Sequence, residues 1–84
     1  MFEIVLSNQA TKFIKKADKA LVKRIIEKLE SLKIEPISHD SKKIIGRDLF
    51  RIRVGDYRIL YDVRFSSKKI LVDRIDKRSR VYEK

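Results

Sequence analysis

Apolar positions along the chain recur first at strand spacing, then at helical spacing, then at strand spacing again. Phe2-Glu3-Ile4-Val5-Leu6 is dense in strand formers and predicts a first strand. Ser7 or Asn8 then offers a helix cap, and Ala10, Phe13, Ile14 and Ala17 fall on one helical face. Asp18 interrupts that pattern and suits the cap of a second helix. There Leu21, Val22, Ile25, Ile26, Leu29 and Leu32 form a broad apolar stripe opposite lysines and glutamates, which predicts core. A membrane-surface helix would need a far more uniformly basic polar face. Pro36 ends the helical region, because its ring and missing N–H oppose continuation. Residues 37 to 46 read as a polar, lysine-containing connection, and strands are predicted over residues 49–54, 57–65 and 69–75.

The order β-α-α-β-β-β implies an α+β fold, with the two N-terminal helices packed on an antiparallel four-stranded sheet. The pattern leaves open which strand the first one pairs with. No repeat, low-complexity tract or Pro/Gly-rich linker interrupts the 84 residues, so a single domain over 1–84 is expected.

The stretch from Phe50 to Tyr61 carries the most chemical information. Gly55-Asp56 suits a two-residue turn with glycine first, as type II′ prefers. That turn sets Val54 opposite Tyr57, Arg53 opposite Arg58, Ile52 opposite Ile59 and Phe50 opposite Tyr61. One face then holds Phe50, Ile52, Val54, Tyr57, Ile59 and Tyr61, a coherent core surface. The other holds Arg51, Arg53 and Arg58, with Leu60 beside them. Like charges opposed across a hairpin destabilise it by some tenths of a kcal/mol. Nearby acids or a bound anion must therefore answer them. Asp48 and Asp62 fall toward the far end of that face, so a salt-bridged face competes with a phosphate-binding one.

Charge widens the picture. Lys and Arg number 22 against 12 acidic residues, a net +10, which points to polyanionic partners: RNA, DNA or an acidic protein. A generic charged surface, as in many thermophile proteins, is the plain alternative. Cysteine is absent, which rules out disulfides and thiolate metal sites and fits a reducing compartment. No apolar run has the length of a signal peptide core or a membrane span, so a soluble cytoplasmic protein is expected. The tail adds Lys77, Arg78 and Arg80 before Val81-Tyr82, an aromatic among basic residues that suits RNA or a frayed terminus packed on the core.

At these residues the chain resembles the RelE/ParE toxin superfamily of toxin–antitoxin modules. The resemblance covers nearly the whole length. Its most specific part is Tyr57-Arg58-Ile59-Leu60-Tyr61 after a tight turn, and it closes on Lys77-Arg78-Ser79-Arg80-Val81-Tyr82. RelE-type members cleave messenger RNA in the ribosomal A site, whereas ParE-type members inhibit DNA gyrase without being nucleases. Arg51 and Arg53 stand where RelE has lysines, Arg58 and Arg78 match its arginines, and Tyr82 matches its tyrosine. The resemblance thus implies an endoribonuclease with Arg51, Arg53, Arg58, Arg78 and Tyr82 at its catalytic site. Lys42, Lys43, Arg47, Lys77 and Arg80 are expected to hold RNA. The lysine-to-arginine departures put any lysine proton-transfer role in doubt. Implied partners are an adjacently encoded RelB-like antitoxin, the ribosome and messenger RNA. The alternatives are a gyrase inhibitor and a basic RNA-binding module without chemistry.

RNA can be cut without metal when the ribose 2′-OH attacks the adjacent phosphorus, leaving a 2′,3′-cyclic phosphate and a 5′-OH. Arginine forks suit the crowded phosphorane but are poor acids or bases. Arg58 is expected at the phosphate, Arg51 and Arg53 on substrate, Arg78 at the scissile phosphate or leaving group, and Tyr82 on a base or in proton transfer. His39, alone in the connecting loop, is assigned no role. Acidic clusters with metal-ligand spacing are missing, so no metal and no cofactor are expected.

Overall fold

Two side-chain oxygens start the helices. Ser7 Oγ accepts from the Ala10 amide at 3.1 Å and opens α1 (Asn8–Lys16), while an Asp18 carboxylate oxygen accepts from the Leu21 amide at 2.8 Å and opens α2 (Lys19–Ile34). The strands are β1 (Glu3–Leu6), β2 (Lys42–Lys43), β3 (Phe50–Val54), β4 (Tyr57–Arg64) and β5 (Lys69–Lys77). This computed structural model describes residues 1–77. No helix among the described residues is long and apolar enough to cross a membrane.

The core lies between the helices and one face of the sheet. Ala10 of α1 and Ile25, Leu29 and Leu32 of α2 pack on Ile52, Val54, Ile59, Tyr61, Ile70, Val72 and Ile75. The helical stripe is narrower than its apolar residues suggest, because Ile26 is 41% exposed. A single row at the i, i+4, i+7 spacing meets the flat sheet, and Ile26 turns past its edge.

The α+β class and the helical pair on a sheet are as expected, but the sheet differs from the four antiparallel strands predicted. It has five strands in the order β1-β5-β4-β3-β2. The added strand, β2, lies within the connection read as a loop and pairs antiparallel with β3, Lys42 opposite Arg51. Lysines on such a short edge strand discourage further strand addition. The sheet is also mixed, since β1 runs parallel to β5, Glu3 beside Lys69 and Leu6 beside Val72. Alternation reports which face a residue occupies, not which strand lies beside it, so this pairing was invisible in the spacing.

A bulge in β5 then sets which residues face away from the helices. Leu60 pairs with Arg74 and Tyr61 with Val72, so Asp73 is the extra residue. Ile70 and Val72 face the core before it, and Ile75 faces the core after it. Without the extra residue, strict alternation would send Arg74 and Asp76 toward the helices. Side chains hold the bulge where β1 has ended. Ser7 Oγ donates to the Asp73 carbonyl at 2.7 Å. The Gln9 amide accepts from the Ile75 N–H at 2.9 Å and donates to the Ile75 carbonyl at 2.8 Å. Gln9 thus completes the ladder as a strand would, leaving those backbone groups satisfied.

Candidate nucleic-acid interface

The turn between β3 and β4 forms as its two residues predict. Gly55 has φ +59, in the left-handed region that glycine enters without a Cβ clash, while Asp56 keeps a negative φ. The pairing is the expected one: Val54 with Tyr57, Arg53 with Arg58, Ile52 with Ile59, Phe50 with Tyr61.

On the face away from the helices, Arg51, Arg53 and Arg58 line one groove of about 540 Å³, together with Lys42, His39, Asp40 and Gly55. The three guanidinium side chains sit at different depths. Arg58 is 7% exposed and forms the floor, Arg51 is half-buried, and Arg53 is exposed and donates from Nε to the Gly55 carbonyl at 2.8 Å. Arg24 of α2 lays its guanidinium against the turn beyond the groove, 3.0 Å from where a Gly55 Cβ would stand. It extends the basic surface past the hairpin tip.

The acids that answer this charge are not the two expected. Asp62 is engaged by Arg64 Nε at 2.6 Å, and Asp48 lines a separate hollow with Asp62 and Arg64. Asp76 stands instead directly across from Arg58 in the ladder, itself 7% exposed. Its carboxylate also takes Arg74 Nη2 at 3.3 Å and the Lys77 amide at 2.8 Å. Strand β5 runs two residues beyond its predicted end, and the bulge turns Asp76 to the arginine side. The buried arginine at the floor of the groove therefore stands across the ladder from a buried aspartate. Such an arrangement holds a guanidinium rigidly but leaves less net positive charge than three arginines suggest.

Of the residues expected to hold RNA, Lys42 is the only one among the described residues that lines the groove. Lys43 alternates to the other face, its ammonium 5.9 Å from the centre of the Phe50 ring. Arg47 is exposed in the turn between β2 and β3, and Lys77 pairs with Tyr57 at the strand's end. Arg78, Arg80 and Tyr82 lie outside the described residues.

His39 and Asp40 are the groove residues that sequence reasoning passed over. Their turn is pinned from beneath. Tyr61, 0% exposed, donates its hydroxyl to the Pro36 carbonyl at 2.8 Å. With its one proton spent there, the phenol oxygen must accept from Ser41 Oγ, 2.5 Å away. Ser41 Oγ in turn accepts from the Ser38 amide at 3.3 Å, and the Asp40 amide donates to Ser38 Oγ at 3.3 Å. Burial pushes the Tyr61 phenol above its ordinary range, partly offset by the Ser41 bond, so it stays a neutral donor. The available signal was Tyr61 itself. A tyrosine on a core face needs a partner for its hydroxyl, and the serine-rich segment after Pro36 supplies it.

Comparison with known proteins agrees with this architecture. Residues 4–82 match the family model described as the ParE toxin of the type II toxin–antitoxin system parDE. A curated relative from Methanocaldococcus jannaschii, RelE1, is 28% identical over 98% of this chain and 96% of that protein. Toxin RelE in the archaeal RelE–RelB complex from Pyrococcus horikoshii superposes with a TM-score of 0.79 at 28% identity, covering 94% of this chain and 97% of that one. The isolated RelE toxin of E. coli superposes with a TM-score of 0.82 at 23% identity, over 98% of this chain and 92% of that one, a likeness of fold.

Proposed function

The chain belongs to the ParE toxin family of type II toxin–antitoxin systems, and from that premise we propose that it is a RelE-type toxin that cuts messenger RNA on the ribosome. The observation that carries this reading is the convergence of Arg51, Arg53 and Arg58 with Lys42 on one open groove. An extended strand of RNA fits such a groove, with its phosphates on guanidinium forks. Arg58 contacts the phosphate under attack and stabilises the charge that builds there. Its position at the floor, opposite Asp76, fixes it before substrate arrives, as electrostatic catalysis requires. Arg51 and Arg53 hold the flanking backbone, and Arg78 and Tyr82 serve the leaving group and a stacked base. The attack is by the ribose 2′-OH, and no metal takes part.

An acidic, RelB-like antitoxin is the proposed partner. The net charge of +10 supports it, as do the archaeal relatives whose toxins were crystallised with RelB. A second reading, gyrase inhibition without cleavage, is favoured by the family model, which is named for ParE.

Incubation with translating ribosomes distinguishes the two. The nuclease reading expects messenger cut in the A site with 2′,3′-cyclic phosphate ends. Intact messenger beside poisoned gyrase supports the second reading. Within the nuclease reading, Arg58→Ala is expected to slow cleavage by roughly 10²–10³-fold. Because that change strands Asp76, Arg58→Lys serves as its companion, keeping a charge there while losing the bidentate fork. Unchanged cleavage in both variants would falsify the assignment.

A further inference from the structure

Arginine stabilises a phosphorane but leaves the first step unassigned, since the 2′-OH must lose a proton and guanidinium groups do not accept one. Of the side-chain types that line the groove, imidazole is the one whose ordinary titration range brackets neutrality. The geometry points to His39 as the general base of the cleavage reaction, an inference that rests on the nuclease reading. Three features carry it.

First, His39 shares the groove with Arg51, Arg53 and Arg58, so an RNA strand on the arginines passes it. Second, its Nε2 lies 3.3 Å from Asp40 Oδ1, so a carboxylate stands beside the ring on which proton abstraction would leave positive charge. Third, the turn that bears it is held by the part-buried Tyr61–Ser41–Ser38 chain, so an exposed side chain sits on a tethered backbone. The charged groups facing it are Asp40 on its own turn, Lys42 of β2, Arg51 and Arg53 of β3 and Arg58 of β4. Lys28 of α2 reaches the same Asp40 at 3.8 Å.

In the proposed step, the His39 imidazole removes the 2′-OH proton as the 2′-oxygen bonds to phosphorus. The P–O5′ bond breaks, O5′ keeps the electron pair and takes a proton from water, and His39 returns its proton to the hydroxide so formed. The products are the cyclic phosphate and the 5′-OH.

The test is single-turnover cleavage on ribosomes programmed with messenger, comparing the wild-type chain with His39→Ala and His39→Gln across the pH range in which imidazole titrates. Because His39 is exposed, both variants are expected to melt like the wild type. The expected result is a roughly 100-fold loss of rate with KM little changed. The acidic limb of the pH profile should vanish, and added imidazole should partly rescue His39→Ala. Wild-type rate in His39→Ala, restoration by His39→Gln, or a loss confined to KM overturns the assignment while cleavage by the wild type stands. If the wild-type chain leaves messenger intact, the nuclease reading itself fails and takes this inference with it.

Discussion

The β3–β4 ribbon has two faces made by the same alternation, and they are held in opposite ways. On the helix side, Ile52, Val54, Ile59 and Tyr61 are buried against one another and against α2, and Phe13 and Tyr57 meet edge to face at 5.4 Å. On the other side, Arg53 and Arg58 stand directly opposed, a pairing that works against the ribbon. Every contact on the first face favours the observed register, while the opposed arginines of the second do not. Because a one-residue slip would exchange the two faces, the apolar side is what keeps the arginines gathered. The groove is thus a product of the core, and its charge is tolerated at the core's expense.

The comparison breaks most sharply on the apolar side. Ile59→Ala, which empties part of a fully buried site, is expected to lower unfolding free energy by about 2–5 kcal/mol, read from denaturant titration. A midpoint close to wild type would mean that this face does not hold the register. Tyr61→Phe comes next, at about 1–3 kcal/mol, because the Pro36 carbonyl and Ser41 hydroxyl lose their partner. Its pH signature is separate. Burial raises the folded phenol's pKa, so its contribution is fully present below the ordinary value near 10 and lost as pH climbs through the folded one. Melting curves of Tyr61→Phe should lack that share of the alkaline decline. A variant that declines in parallel with the wild type contradicts this. Smallest is Arg53→Ala, expected to leave stability within a few tenths of a kcal/mol or raise it slightly while weakening RNA retention. A clear loss of stability there would show that the arginine face supports the fold after all.

How far the sequence reveals this arrangement depends on which interactions are local. The caps at Ser7 and Asp18, the turn at Gly55-Asp56 and the whole β3–β4 register are legible, since each is set by residues a few positions apart. The side of the sheet on which Asp76 emerges is not. It depends on a bulge at Asp73, which nothing in the local pattern announces and which Ser7 and Gln9 hold from the other end of the chain. The same holds for His39. Its place over the arginines follows from the bond of Ser41 to a hydroxyl twenty residues further on, on β4, not from its immediate neighbours. Local pattern gathered the arginines, but long-range bonds supplied their counter-charge and the turn beside them.

The parallel pairing of β1 with β5 has a consequence for how the protein comes into being. Glu3 and Lys69 meet across 66 positions, and β5 is the strand that both β1 and β4 lie against. A chain emerging from synthesis can form its helices and its first hairpin early, yet β1 and β4 have no strand between them until β5 is free. Until then Arg58 has no Asp76 across from it, so the arginine groove is completed only once β5 has joined the sheet.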